Sequence, residues 1–261
     1  MVKNIQKVQF FKPRRPKIKV GAFDVNYIKK RRPIIVAWWS AALPGMGHIH
    51  LGHYLKGLLL VSGEIVLNTL SHLNTAIFFS MTGQFQAVHE VVNYNWLILY
   101  SSFFVFAIWD SYRICIDTNK SSLIEEKQSI KETAFGAIDT WGMNTLNIRN
   151  PRMAFVWNGI FPGLYHLCNN KIISGITLLG WMITISYFTK LPLVVLLTMT
   201  GQFTEIQPLI NPQWLLFFPS IYLFTLYDGY SHAVFYNRLF EEEQAYHFHE
   251  KFGDNRLQME R

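Results

Sequence analysis

The sequence predicts an all-α, polytopic integral membrane protein of two tandem repeats, each with a short re-entrant or interfacial half-helix plus two transmembrane helices. Three observations predict this fold: a low charge content, an internal repeat, and long apolar segments with Lys and Arg on one side. Half of the 261 residues are hydrophobic and 16% are charged, whereas soluble chains carry about a quarter charged residues. The composition therefore excludes a soluble globular domain and a disordered chain. The two cysteines, which form no CxxC, exclude a disulfide scaffold.

The first segment, residues 1–32, is a basic arm. It holds eleven Lys and Arg and one acid, so it carries +10, and the rest of the chain carries −3. A basic side chain near an anionic membrane surface contributes about 1 kcal/mol, so we expect the arm to bind membrane lipids rather than nucleic acid. The candidate lipid-binding residues are Arg14, Arg15, Lys29, Lys30, Arg31 and Arg32.

An offset of 118 residues relates the two halves of the rest of the chain. Leu43-Pro44-Gly45 returns as Phe161-Pro162-Gly163, and Met-Thr-Gly-Gln-Phe occurs at both 81–85 and 199–203. About 21 of the 86 positions from 33 to 118 are identical to their counterparts, which is well above the chance level expected from ordinary residue usage. The chain is therefore predicted to be a tandem duplication.

Each repeat begins with a short apolar piece that ends at the Pro-Gly turns Pro44-Gly45 and Pro162-Gly163. These pieces, 33–43 and 151–161, reach only about half of a 30 Å hydrocarbon core at 1.5 Å per residue, so we expect half-helices. The second pieces (57–80 and 175–198) and the third (96–116 and 214–234) each have the roughly 20 apolar residues that a spanning helix needs. Gly83 and Gly201 in the shared pentapeptide are predicted to end the second pieces as left-handed C-caps.

The distribution of Lys and Arg predicts four spans with both termini in the cytoplasm of a cell-membrane protein. The two outer loops, 81–95 and 199–213, contain neither residue. Six spans would put the Lys-bearing middle linker outside. Lys190 is the exception, and it lies two residues before Pro192, where we expect the second piece to break near the outer interface.

The remaining segments are polar. Residues 121–138 have the pattern of an amphipathic surface helix, and the tail is expected to be a solvated helix end. The predicted domains are the basic arm 1–32, membrane repeat 1 at 33–118, the cytoplasmic linker 119–150, membrane repeat 2 at 151–237 and the cytoplasmic tail 238–261.

The segment Leu43-Pro-Gly-Met-Gly-His-Ile-His-Leu-Gly-His-Tyr-Leu-Lys-Gly57 resembles the glycine-rich helix-turn signature of the two-transmembrane-helix domain family of prokaryotic membrane proteins. In that family a later helix closes with an Asp a few residues before a cytoplasmic Asn, which Asp110 with Asn119 and Asp228 with Asn237 match. The second repeat departs from the pattern, because Tyr165 and Asn170 replace Gly47 and Gly52. The resemblance implies a membrane fold and no common activity.

Two His-Asp pairs are the candidate structural or ion-pathway residues. A carboxylate inside a membrane needs a partner, and Asp110 lies about 21 Å along its span, near the level expected for the Pro-Gly turn. We therefore expect His48 to pair with Asp110 and His166 with Asp228. The pairs act either as structural clamps or as a proton or ion relay, and the clamp is favoured because the pair is duplicated.

Other functional readings are weaker. His48, His50 and His53 with Glu64 suggest a metal, but only His166 survives in the second repeat, so no metal and no cofactor are expected. Glu64 is unique to repeat 1 and is expected either to face the bundle interior near Asn68 or to mark an asymmetric polar cavity. No catalytic motif is present. The predicted function is a non-enzymatic scaffold or assembly partner in the membrane, as a homo-oligomer or with another membrane protein. The alternatives are a small transporter or channel that uses the Asp/His pairs, and a His-rich membrane metalloenzyme.

Overall fold

The computed structural model describes residues 18–21, 25–126, 136–139 and 142–252. The protein is mostly helical, at 78%, and belongs to the all-α class. Within these residues the strands form two antiparallel hairpins of two strands each, and the helices enclose the hydrophobic core.

The first half starts with hairpin β1 (Ile18–Val20) and β2 (Val25–Tyr27). Pro33 then begins the half-helix α1 (Pro33–Ala42), since proline has no N–H to leave unpaired at a helix start. The helices that follow are α2 (Met46–His50), α3 (Tyr54–Ser71), α4 (Leu73–Met81), α5 (Phe85–Val91) and α6 (Tyr94–Glu126).

The second half has the same order of elements, except that a 3₁₀ turn replaces the counterpart of α5 and a short helix precedes the last helix. The hairpin comprises β3 (Gly136–Asp139) and β4 (Gly142–Thr145), and the helices are α7 (Arg152–Ile160), α8 (Leu164–Cys168), α9 (Ile172–Thr189), α10 (Leu191–Met199), α11 (Pro212–Leu215) and α12 (Phe217–Phe252). The 3₁₀ turn is Phe203–Glu205.

The correspondence between the halves begins at the hairpins rather than at Pro33. Ile18 pairs with Tyr27 and Gly136 pairs with Thr145, so the two hairpins have the same register at the offset of 118. Part of the predicted basic arm is therefore folded. The predicted helix over 121–138 is wrong at its end, because 136–138 belong to β3 and their backbone groups pair with β4; residues 121–126 continue α6, and 127–135 lie outside the described residues.

The predicted second pieces are broken helices in both halves. The break predicted at Lys190 is present, with φ of 52°, and its counterpart His72, with φ of 55°, breaks the first repeat at the same place. The predicted C-caps are confirmed, since Gly83 and Gly201 follow α4 and α10 with φ of 77° and 76°. In the described part of the chain, α6 and α9 are long and apolar enough to cross a membrane. The four-span topology stays a prediction.

The Pro-Gly turns lie close against α3 and α9. Gly45 has φ of 100°, and a Cβ on it would lie 2.4 Å from the carbonyl oxygen of Gly57. Gly163 has φ of 99°, and a Cβ on it would lie 2.8 Å from the carbonyl oxygen of Gly175. Only glycine adopts this conformation at this distance without strain. The turn therefore fixes α2 and α8 against the next helix.

The largest hydrophobic core lies between the two halves. Residues of the first turn and α3 pack against α9 and α12, and the cluster comprises Leu43, Met46, Ile49, Val61, Ile65, Leu178, Ile185, Phe217, Ile221 and Phe224. The two repeats thus share one core.

Candidate functional site

The turns place a histidine from each repeat in the interior. His48 lies in α2 and His166 in α8, and both are buried. Gly47 precedes His48 and lies so close to α1 that a Cβ would be 2.4 Å from the carbonyl oxygen of Val36. The small turn residues therefore allow α2 to lie against α1 and direct the imidazole toward α6.

The first site is centred on Asp110, a buried carboxylate of α6. His48 Nε2 lies 2.9 Å from Asp110 Oδ2, so the predicted pair is present. Arg113 Nη2 donates to Oδ1 at 2.7 Å, and Lys56 Nζ forms an ion pair with Oδ2. The two cationic side chains are 48% and 40% exposed, so the positive charge reaches this carboxylate from the solvent-accessible side.

The second site is centred on Asp228 of α12. The predicted pair is also present, with His166 Nε2 at 3.1 Å from Asp228 Oδ2. A second imidazole comes from the other repeat: His50 Nδ1 lies 2.5 Å from Asp228 Oδ1. Lys171 Nζ is 3.7 Å from Oδ2, and all four side chains are buried. This site therefore joins the two repeats, whereas the Asp110 site lies within one.

Sequence reasoning missed the role of His50. Its counterpart in the second repeat is Cys168, so the repeat pattern gives no signal for it. Local spacing cannot show it either, because His50 and Asp228 are 178 residues apart and belong to different repeats.

His48 and His166 each contact their carboxylate through one ring nitrogen, Nε2. The Nδ1 atoms of His48 and His166 are buried and have no hydrogen-bond partner among the described residues. A protonated imidazole would bury a second N–H without an acceptor, which costs free energy. The geometry thus favours neutral imidazoles that donate from Nε2.

A duplicated asparagine clamp lies on the same long helices as the two aspartates. Asn119 accepts a hydrogen bond from the backbone N–H of Arg31 and donates to its carbonyl oxygen, both at 2.8 Å. Asn237 makes the same pair of bonds to Arg149, at 2.8 and 2.7 Å. Each clamp ties a long helix to the chain that enters the half-helix. The occurrence of an asparagine at equivalent positions 119 and 237 indicated that these residues have a role. The sequence alone did not indicate that their partners are the backbones of Arg31 and Arg149.

The candidate lipid-binding residues fall into two groups. Arg14 and Arg15 lie outside the described residues. Of the others, Arg32 is exposed and Lys30 forms a 2.8 Å ion pair with Glu126.

Lys29 and Arg31 are turned toward the protein. The Lys29 amine lies 4.6 Å from the centre of the Phe235 ring, and the Arg31 guanidinium lies 5.4 Å from that of Tyr27. Burial lowers the pKa of Lys29 to about 8, and repulsion by Arg31 and Arg238 adds to the decrease.

Glu64 belongs to a buried polar network and lies near Asn68, as the sequence predicted. Asn68 donates to Glu64 Oε1 at 3.0 Å, and the hydroxyl of Tyr100 donates to the same oxygen at 3.3 Å. Asn68 also receives a 2.8 Å bond from Gln213, which comes from the second repeat. Glu64 Oε2 has no partner among the described residues. The network is a second polar connection between the repeats.

The described residues contain no group of three or more His, Cys, Asp or Glu side chains that could hold a metal ion. Comparison with protein-family models, with curated proteins and with solved structures finds no match. The resemblance to the two-transmembrane-helix domain family therefore stays a prediction, and the function has to be argued from the geometry.

Proposed function

We propose that this protein is a non-enzymatic multi-pass membrane protein that acts as a scaffold or assembly partner. One observation carries the proposal: the carboxylates and imidazoles of both sites are buried and paired, whereas large apolar side chains cover the outside. In α3, Leu59 is exposed and its neighbour Leu60 is buried. A surface of this kind contacts lipid or another apolar protein surface. The exposed apolar surface is therefore available to contact lipid or a partner, whereas the buried ionic groups are not.

The ionic sites are interpreted as clamps that hold each half-helix to its long helix. Asp110 and Asp228 each contact an imidazole and at least one cation, and such groups are strongly destabilising when one partner is removed. A proton relay through His48 or His166 needs a second partner on the imidazole, and the Nδ1 atoms of these two residues have none among the residues with known placement. This favours the structural interpretation.

The scaffold function is tested by photo-crosslinking in native membranes. A photoreactive residue at exposed Leu59 is expected to form an adduct with one discrete protein, and the same residue at buried Leu60 is not. The captured partner should also accumulate less when this chain is deleted. Adducts to lipid alone, from this position and from the other exposed apolar faces, would contradict a scaffold.

The basic arm is proposed to bind anionic lipid. Removal of residues 1–17, which include Arg14 and Arg15, is expected to weaken binding to vesicles that contain anionic lipid, and to leave binding to neutral vesicles unchanged. Lys29→Met is the matched control, because its amine faces Phe235 rather than lipid. A truncated chain that still prefers anionic vesicles to the same extent as the full-length chain would refute the lipid role.

A small transporter is the second candidate, and the Glu64 network is the observation that favours it. A buried carboxyl inside an apolar bundle is typical of proton and ion pathways. Flux in liposomes that is abolished by Glu64→Gln, Asp110→Asn or Asp228→Asn would favour transport. A chain that folds normally and gives no flux would favour the scaffold.

A further inference from the structure

The contact between the two repeats uses two different faces. We call one the turn face; in repeat 1 it comprises Trp39, Leu43, Met46, Ile49, Val61 and Ile65. We call the other the long-helix face; in repeat 2 it comprises Phe217, Ile221, Phe224 and Tyr227. Trp39 is partly buried and joins the two faces, with its ring 5.3 Å from Phe224 and 5.1 Å from Tyr227. The contact is therefore head to tail rather than symmetric.

Because the chain is duplicated, each face has a counterpart that the protein leaves open. On the long-helix face, Phe217 and Phe224 are 2% and 0% exposed, whereas their counterparts Leu99 and Phe106 in repeat 1 are 51% and 46% exposed. Trp109, the counterpart of Tyr227, is also exposed. Phe103, the counterpart of Ile221, is partly buried with its ring against Gly63 of α3, so the long-helix face of repeat 1 is open at the other three positions.

Repeat 2 presents the matching unfilled turn face. Its Trp157 corresponds to Trp39 and is 44% exposed, and Ile183 corresponds to buried Ile65 and is 53% exposed. Both counterpart faces have kept apolar side chains of similar size, including Phe106, which is identical to Phe224. Each chain therefore has an open long-helix face in repeat 1 and an open turn face in repeat 2, and these two faces are complementary.

We infer that copies of this chain assemble head to tail, with the long-helix face of repeat 1 in one copy docked on the turn face of repeat 2 in another. The inference rests on the proposed scaffold function and names its partner as a second copy. The contact between the repeats is the template: Trp157 takes the place of Trp39, between Phe106 and Trp109 of the next copy. A head-to-tail contact of this kind closes into a ring or continues as a filament.

One polar difference distinguishes the contact between copies from the contact within one. His50, which bonds to Asp228 across the repeats, is replaced by Cys168 at the open face. The matching carboxylate, Asp110, is already paired with Lys56 and Arg113 of its own repeat. The contact between copies thus has the apolar part of the template without its buried ionic bond, so we expect it to dissociate more readily.

Disulfide crosslinking in native membranes tests this arrangement with the full-length chain. The background is Cys115→Ala, which copies Ala233 of repeat 2, together with Cys168→Ser. Two differently tagged copies are expressed together, one with Trp109→Cys and the other with Trp157→Cys. We expect oxidation to give a dimer with both tags, and a chain with both substitutions to give a ladder or one closed species.

Leu223 supplies the matched control. It is 56% exposed, and its counterpart Val105 is 64% exposed, so this side of the long helices is open in both repeats. Leu223→Cys paired with Trp157→Cys is therefore expected to give no dimer. Counting photobleaching steps of the fluorescently tagged wild-type chain gives a measurement that does not depend on replacing a tryptophan.

The outcomes separate this inference from the proposed function. Crosslinks between Trp109→Cys and Trp157→Cys without crosslinks to Leu223→Cys support the head-to-tail contact. Crosslinks of either position only to itself overturn it in favour of a symmetric dimer, and the scaffold function survives. A monomeric wild-type chain also overturns it; the scaffold function then survives only if the Leu59 photo-crosslink captures a different protein, and fails if it does not.

Discussion

Asp228 and Asp110 occupy equivalent positions, yet we expect their loss to have unequal effects on stability. Asp228→Ala removes the carboxylate from His50, His166 and Lys171, which are all buried. Breaking a buried ionic group by removal of one partner costs about 3–5 kcal/mol. Asp110→Ala removes the hydrogen bond to buried His48, which costs about 1–2 kcal/mol. The two cationic side chains at Asp110, Lys56 and Arg113, are exposed enough to turn toward water.

The free energy of unfolding is measured in detergent micelles by titration with a denaturing detergent, with tryptophan fluorescence as the signal. We expect Asp228→Ala to lose about 1–4 kcal/mol more than Asp110→Ala. The double variant Asp228→Ala with Lys171→Met should recover part of the loss, because it no longer buries that cation without this carboxylate. Equal losses at the two positions, or no recovery in the double variant, would show that burial of the cation does not control the stability.

Three further predictions concern the other polar groups. Asn119→Ala and Asn237→Ala each remove two bonds to the backbone, so each is expected to lower the free energy of unfolding by about 1–3 kcal/mol in the same titration; an unchanged midpoint in either variant would argue against the clamp. Glu64→Gln keeps an oxygen that accepts from Asn68 and is expected to change stability by less than about 1 kcal/mol, whereas Glu64→Lys places an amine in the network and should prevent accumulation of folded protein in the membrane. Lys29 has its pKa lowered to about 8 in the folded protein, so the unfolded chain binds more protons between about pH 8 and pH 10.5 and stability should rise with pH in that range; Lys29→Met should reduce this slope, and an identical slope in both proteins would contradict the burial of the amine.

Pattern and spacing predicted much of the two sites. The offset of 118 residues, together with the need of a buried carboxylate for a partner, was enough to pair His48 with Asp110 and His166 with Asp228. Lys190 before Pro192 predicted a helix break, since a charge beside proline is unfavourable inside a continuous spanning helix. The matching break at His72 was missed because Asn74, where repeat 2 has Pro192, gives no such signal; its side chain instead bonds to the Gln213 carbonyl of the other repeat.

The sequence by itself determined the all-α class, the duplication and the residues that lie at the turns, because these follow from composition, periodicity and the special backbone of Pro-Gly. Only the tertiary structure decided how the two repeats meet. The bond from His50 to Asp228 and the contact of Trp39 with Phe224 join residues more than a hundred positions apart. A duplicated sequence gives both repeats the same faces, and packing alone determines which copy of each face is buried and which remains open.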